Sequence, residues 1–137
     1  GNADIRYQAV RKSMLNHGFP ADETMVYYSS DEQYVEIIGK LLRRGIDGLF
    51  CPGGSGGIIA AYALSLFSRR VPEDVSLIAS EQTFFSRYGV PPQTTISPDY
   101  KALAASAADL IEAWIGNAKF PRRTVLPYIL NQRESVK

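Results

Sequence analysis

The chain has 137 residues, 45% of them hydrophobic, with 15 basic against 14 acidic side chains and a formal net charge of +1. That length and apolar content suit one domain with a core and argue against disorder. The charge balance gives no electrostatic case for gripping nucleic acid, no apolar run reaches the ~18 residues of a membrane span, and the single Cys51 excludes an internal disulfide or a multi-cysteine metal site.

Ile5, Ala9, Val10, Ser13 and Met14 fall at helical spacing, and Gly18 follows as a stop, so a helix is expected from about Asp4 to His17. Thr24 to Tyr28 (TMVYY) is β-branched and aromatic and reads as a strand. Ser30 and Gln33 form a capping-box pattern. The helix it opens carries Val35, Ile38 and Leu42 on one stripe, with Ile37 and Leu41 beside it, and Gly45 ends it. Ile46 to Cys51 is a short apolar run, as a strand buried on both faces would be. Pro52, Gly53 and Gly54 break it, and Ile58 to Leu66 resumes as an apolar, alanine-rich helix.

Val75 to Ala79 (VSLIA) is a further buried strand after the turn Val71 to Asp74, with Glu81 just beyond its carboxyl end. Phe84, Phe85 and Tyr88 crowd a short irregular or helical piece that Pro91 and Pro92 stop. Thr94 to Ile96 is a short strand. Leu103, Ala107, Leu110, Ile111 and Trp114 mark an amphipathic helix closed by Gly116 and Asn117. Thr124 to Leu130 is a last strand whose Pro127 points to an edge or a bulge. The alternation predicts an α/β fold: a parallel twisted sheet with helices on both faces and right-handed crossovers. In such sheets ligands collect outside the carboxyl ends of the strands, which puts one wall of any site at the Pro52 turn.

The PGGSGG turn has two readings. It is a tight turn that needs backbone freedom, or a set of exposed N–H groups at a helix start that accepts an oxygen-rich or anionic ligand. A Walker loop would need lysine and Ser/Thr where Ile58 and Ile59 stand, and the dinucleotide fingerprint is not met. His17, the only histidine, is expected at a helix end on the surface. Because that one histidine is placed as a surface residue at a helix end, no Ser/His/Asp or Cys/His set can be assembled around it, so no enzyme is expected. Cys51 lies in the apolar run and reads as a packed thiol. Among the carboxylates only Glu81 stands where a ligand could meet it. The arginine pairs Arg43–Arg44, Arg69–Arg70 and Arg122–Arg123 read as solvated faces. No cofactor and no metal site is expected.

Several stretches taken together resemble the effector-binding domain of the lactose-repressor/galactose-repressor (LacI/GalR) family of bacterial transcription regulators. Arg6-x-x-Ala9-Val10-x-x-Ser13-Met14-x-x-x-Gly18-Phe19 resembles that family's R-x-x-G-F-x-x-A-L-x-x-x-G-L helix. Leu41 to Cys51 (LLRRGIDGLFC) is similar to its LL…DAIFC strand, and Val71 to Ile78 (VPEDVSLI) to a family signature. Tyr88 to Ile96 matches Y-x-x-P-P-L-T-T-I, with Gln93 in place of leucine, and Arg133-Glu134-Ser135 matches an R-E-S tail.

The resemblance implies a periplasmic-binding-protein-like (type I) fold. Residues 1–137 would be the C-terminal, second subdomain of a bilobed effector-binding domain, with 97–120 crossing toward a first subdomain absent here, as is the helix-turn-helix. It implies a small-molecule effector, sugar-like or anionic, bound by Arg6, Tyr28, Ser29, Gly53, Gly54, Ser55 and Glu81. The family's Asn-Asp pair falls on Gly53-Gly54 and its Gly-Phe-Asp on Ala79-Ser80-Glu81. A homodimer is implied through Ile58, Ala61 and Tyr62 on one element and Phe84, Arg87 and Tyr88 on another. Operator DNA would be met only through the absent N-terminal domain, no membrane is involved, and the cytoplasm is the expected compartment. Two other readings are weighed against this one. A periplasmic-type sugar-binding protein shares the fold, but no export signal is recognisable. A nucleotide enzyme using the glycine loop lacks the lysine and any base.

Overall fold

A computed structural model describes residues 2–137, apart from the side chains of residues 2–4, 23 and 31. Five α-helices and four strands follow in the order α1 (Asn2–Asn16), α2 (Tyr34–Arg43), β1 (Gly48–Cys51), α3 (Gly56–Leu66), β2 (Ser76–Ser80), α4 (Phe84–Tyr88), β3 (Thr94–Pro98), α5 (Tyr100–Ile115) and β4 (Tyr128–Asn131). The sheet order is β1-β2-β3-β4. The first three strands run parallel and β4 is antiparallel to β3, so the sheet is mixed at one edge rather than wholly parallel. Strand β4 starts one residue after Pro127, which leaves the proline outside the ladder on an edge strand.

The core lies on one face of the sheet. Ile38, Ala60, Ala63 and Leu64 of α2 and α3 pack against Cys51, Val75, Leu77 and Ala79. Leu77 and Ala79 point to this face, and Ser76, Ile78 and Ser80 to the other, which faces α1 across a cavity. Gly18 (φ 78°) and Gly45 (φ 79°) are both left-handed, the conformation that ends α1 and α2 where the sequence puts their stops. Helix α5 is capped by Asp99, whose Oδ1 accepts from the Ala102 backbone N–H at 3.0 Å.

Three expectations are corrected. Thr24 to Tyr28 is no strand; a 3-10 turn runs over Glu23–Met25 and the rest is irregular. The Asp22 carboxylate accepts from both the backbone N–H (2.8 Å) and the hydroxyl (2.6 Å) of Thr24, and Arg44 donates to Asp22 and to the Thr24 carbonyl. These local bonds take the groups a ladder would need. The second correction is at Ser30 and Gln33. A 3-10 turn over Asp31–Gln33 leads into α2, and Gln33 makes no side-chain cap bond, so the capping box is not formed. Third, β1 is not buried on both faces. With no strand at Thr24 to Tyr28, β1 is a sheet edge, Cys51 is buried, and Phe50 is 39% exposed.

The Arg133-Glu134-Ser135 tail ties the sheet together. The Ser135 hydroxyl donates to the Leu77 carbonyl (2.5 Å) and accepts from the Thr94 N–H (2.7 Å), while its own carbonyl accepts from the Leu77 N–H at 2.7 Å. Ser135 is fully buried and spans β2 and β3 where their direct pairing begins. Ser135→Ala strands two buried backbone groups, so it is expected to destabilise the fold by about 1–3 kcal/mol, read from equilibrium urea unfolding.

Candidate functional site

The carboxyl ends of β1 and β2 hold the Pro52-Gly53-Gly54-Ser55 turn and the start of α3. The Pro52 carbonyl is the meeting point. It accepts from the Ser80 hydroxyl at 2.7 Å and from Arg6 Nη1, on α1, at 3.2 Å. Arg6 thus reaches the turn across 46 residues of sequence, and its side chain is exposed. Between α1 and the sheet lies a cavity of about 390 Å3, lined by Arg6, Ala9, Val10 and Ser13 of α1 and by Phe50, Pro52, Ile96 and Tyr128. The register places Phe50, Ser80, Ile96 and Tyr128 on a single sheet face, because Phe50 pairs with Ile78, Ser80 with Ile96, and Tyr128 with Pro98.

The glycines of the turn serve close packing rather than unusual backbone angles. Among the described glycines positive φ is confined to Gly18 and Gly45, so Gly53, Gly54, Gly56 and Gly57 are outside the left-handed region. A Cβ on Gly57 would lie 2.5 Å from the Ala79 Cβ and 2.6 Å from Gln93 Oε1. One on Gly56 would lie 2.9 Å from the Tyr34 hydroxyl oxygen and 3.2 Å from the Cys51 Cβ. Gly54 meets nothing within 4 Å. Backbone freedom is therefore not what α3's first turn requires; what it requires is contact with β2 and with the Tyr34 ring.

Two glutamines hold the turn from the side of α4. Gln82 Nε2 donates to the Gly54 carbonyl at 2.6 Å and Gln93 Nε2 to the Gly57 carbonyl at 2.9 Å. Both are fastened to Ser86, which is buried. The Gln82 N–H donates to its hydroxyl and the Gln93 N–H to its carbonyl, each at 2.8 Å. Sequence inspection singled out neither glutamine for this role. The signal available was Gln93, a polar residue in a position where the resembled segment has leucine.

Glu81 stands at the carboxyl end of β2 but turns to the other face. Its Oε2 accepts from the Thr95 hydroxyl (2.5 Å) and from Arg133 Nη2 (2.8 Å). Thr95 pairs with Ala79, on the core face, so Glu81 and Arg6 lie on opposite sides of the sheet. Arg133 Nη1 also donates to the Gln93 carbonyl at 2.7 Å. The Glu81 side chain is 10% exposed. Burial pushes its carboxyl pKa up, but hydrogen bonds from Thr95 and Arg133, the Arg133 charge and the Ser86 hydroxyl outweigh this and hold it below the ordinary value. Glu81 is thus engaged within the fold, and the structure does not bring it together with Arg6 and the Gly53 bend.

Tyr28 is exposed and Ser29 half-buried, both in the irregular segment before α2, and neither lines the α1 cavity. Ser55 precedes α3 and makes no side-chain cap bond there. Burial pushes the Cys51 thiol up to about 12, which makes it a poor nucleophile. His17 Nδ1 lies 2.8 Å from the Ser13 carbonyl at the end of α1. Of the proposed interface residues, Tyr62, Phe84 and Tyr88 are 61%, 65% and 71% exposed, Arg87 is exposed, and Ile58 and Ala61 are half-buried. Phe84 packs edge-on against Phe85 (centroids 5.9 Å apart) and tilts against Tyr88 (5.0 Å). A second concavity, of about 300 Å3, lies beside α3 near Arg69, Arg70 and Val90. There the Arg70 guanidinium is bound to Asp74.

This arrangement has relatives. The family model described as "Periplasmic binding protein-like domain" matches residues 1–136. The chain belongs to that family. The HTH-type transcriptional regulator CelR of Thermobifida fusca is 30% identical over 135 residues, covering 95% of this chain and 40% of that protein. The HTH-type transcriptional repressor PurR of Pasteurella multocida is 30% identical over 128 residues, covering 90% and 38%. A solved CelR–cellobiose complex superposes with a TM-score of 0.77 at 30% identity, over 95% of this chain and 41% of that one. A putative LacI-family regulator from Sanguibacter keddieii gives 0.80 at 26% identity, over 98% and 54%. This periplasmic binding protein-like domain is thus of the kind found in LacI-type transcription regulators, and it spans about 40% of the length of the curated relatives just named. They are regulators, not enzymes.

Two predictions rest on this geometry. Gly57→Ala forces α3 off β2 and is expected to cost about 1–3 kcal/mol in urea unfolding, whereas Gly54→Ala stays within about 0.5 kcal/mol of the parent. The Glu81 pKa is depressed on folding, so its contribution is present above the unfolded value of about 4.5 and is lost as pH falls through the lower folded value. Glu81→Gln is therefore expected to lower stability at pH 7 and to flatten its fall between neutral pH and the acid limb; an unchanged acid limb would contradict this.

Proposed function

We propose that the chain is the ligand-sensing and dimerising part of a LacI/GalR-type transcription regulator. The observation that carries this is the convergence of Arg6 and Ser80 on the Pro52 carbonyl beside an open cavity at the carboxyl ends of the strands. A small molecule there would touch α1 and the β1 turn at once. It would favour whichever arrangement of two subdomains closes on it, and so reset DNA affinity by its differential affinity for two states. Operator contact would come from a DNA-binding segment outside these residues. Residues 97–120 would cross toward the first subdomain. In support, α5 has no buried residue, with Trp114 at 69% and Ile111 at 55% exposed.

Dimerisation would use the exposed aromatic cluster of α4 together with the exposed Tyr62 of α3, apolar groups of the kind a two-fold contact buries. The regulator relatives favour this reading over a periplasmic sugar-binding protein. The glycine turn supports no nucleotide enzyme, since packing against Ala79 and Tyr34 accounts for Gly56 and Gly57. Amide NMR titration with sugars, sugar phosphates, nucleobases and small carboxylates tests the sensing role. At least one compound is expected to shift the amides of residues 6, 50, 51, 53, 54 and 80, and Arg6→Ala to weaken it about tenfold or more. A panel without any such response removes the sensing role.

A further inference from the structure

The α1 cavity has an uneven chemistry. Its walls are Val10, Phe50, Pro52, Ile96 and the ring of Tyr128, and among the described residues its lining holds no carboxylate and no carboxamide. The one charge among the described lining residues is Arg6. Arg6 Nη1 is bound to the Pro52 carbonyl, and among the described residues no carboxylate pairs with its guanidinium. The carboxylate nearest in sequence to this strand end, Glu81, is held on the other face of the sheet by Arg133 and Thr95.

A neutral sugar presents a hydroxyl on almost every carbon, and each hydroxyl must donate as well as accept. Side-chain acceptors in this lining are limited to the Ser13 and Tyr128 hydroxyls. A sugar seated here would exchange well-solvated hydroxyls for apolar wall. A flat apolar body would instead pack against Phe50, Ile96 and Tyr128, and a single anionic group would pair with the Arg6 guanidinium, which no carboxylate engages among the described residues. A cavity of about 390 Å3 has room for a body of one or two rings.

Resting on the sensing role proposed above, we infer that this pocket takes an apolar-bodied monoanion, an aromatic carboxylate, in preference to a neutral sugar. The same pocket is used; the chemistry of its occupant is what is new.

Titration of the ¹⁵N-labelled chain with phenylacetate, phenylacetamide and cellobiose tests the class. Phenylacetate is expected to shift the amides of residues 6, 50, 96 and 128 and to bind about tenfold or more tighter than the amide, which lacks the charge. Arg6→Ala, an exposed position, is expected to bring phenylacetate down to the level of phenylacetamide while leaving the amide unchanged, and Arg6→Lys to recover part of the difference. Phe50→Leu is expected to weaken acid and amide alike. Cellobiose binding at these residues more tightly than phenylacetate overturns the ligand class and leaves the sensing role standing. Equal binding of acid and amide overturns the anion. If none of the three compounds shifts these residues, the inference is lost, and the wider panel decides the sensing role separately.

Discussion

The contact between Gly57 and Ala79 sets the geometry of this end of the molecule. Helix α3 can lie flat on β2 only because its first turn presents backbone where any other residue would present a Cβ. That approach seats the amino end of α3 over the strand ends and fixes where the Pro52 turn emerges. The Pro52 carbonyl then points to where Ser80 and Arg6 can both reach it. A looser α3 would move the turn, and with it the acceptor that draws Arg6 and α1 to the sheet.

The polar groups around that contact form one connected brace. Ser86 is the hub, since its hydroxyl and carbonyl each receive a backbone N–H from the two glutamines that hold the turn. Gln93 is in turn tied to Arg133 through its carbonyl, and Arg133 to Glu81. The brace therefore joins the Pro52 turn to α4, whose aromatic rings face outward, and to the C-terminal tail. Interior groups linked in this way resist independent movement. Thr83, at the joint between Gln82 and α4, takes φ 48°, a conformation costly for a threonine, which the bonds on either side of it hold in place.

Much of this was legible in the sequence, for reasons that differ from place to place. Helices α1, α2 and α5 were clear because their apolar spacing and stop residues agree. β2 and β3 were clear because short apolar or β-branched runs sit between turns. The likeness to LacI/GalR effector domains was carried by ordered short motifs, and the family model and the regulator relatives bear it out. What failed was decided by particular side chains. Asp22 and Arg44 divert Thr24 into a turn, and that choice exposes β1 as an edge. Glu81 was placed correctly along β2, but which side of the sheet it takes depends on register. A period of two sends it with Leu77 and Ala79, toward a positive partner that lies 52 residues further along. The R-E-S tail was legible as a family mark. Its physical role, bridging β2 and β3 through Ser135, needed the third dimension.

The two sides of the sheet divide the work of the molecule. The face toward α2 and α3 holds the buried core residues and the polar brace, and these account for the stability of the fold. The face toward α1 is spanned by the Arg6–Pro52 bond across a cavity, with Phe50 and Tyr128 left partly open. A ligand that fills the cavity buries apolar surface on both α1 and the sheet, so part of its binding energy goes into seating α1. By mass action it stabilises the seated arrangement in proportion to its occupancy and leaves the core face unchanged. On the sensing role proposed above, the contacts that would respond to ligand are not the contacts that keep the chain folded.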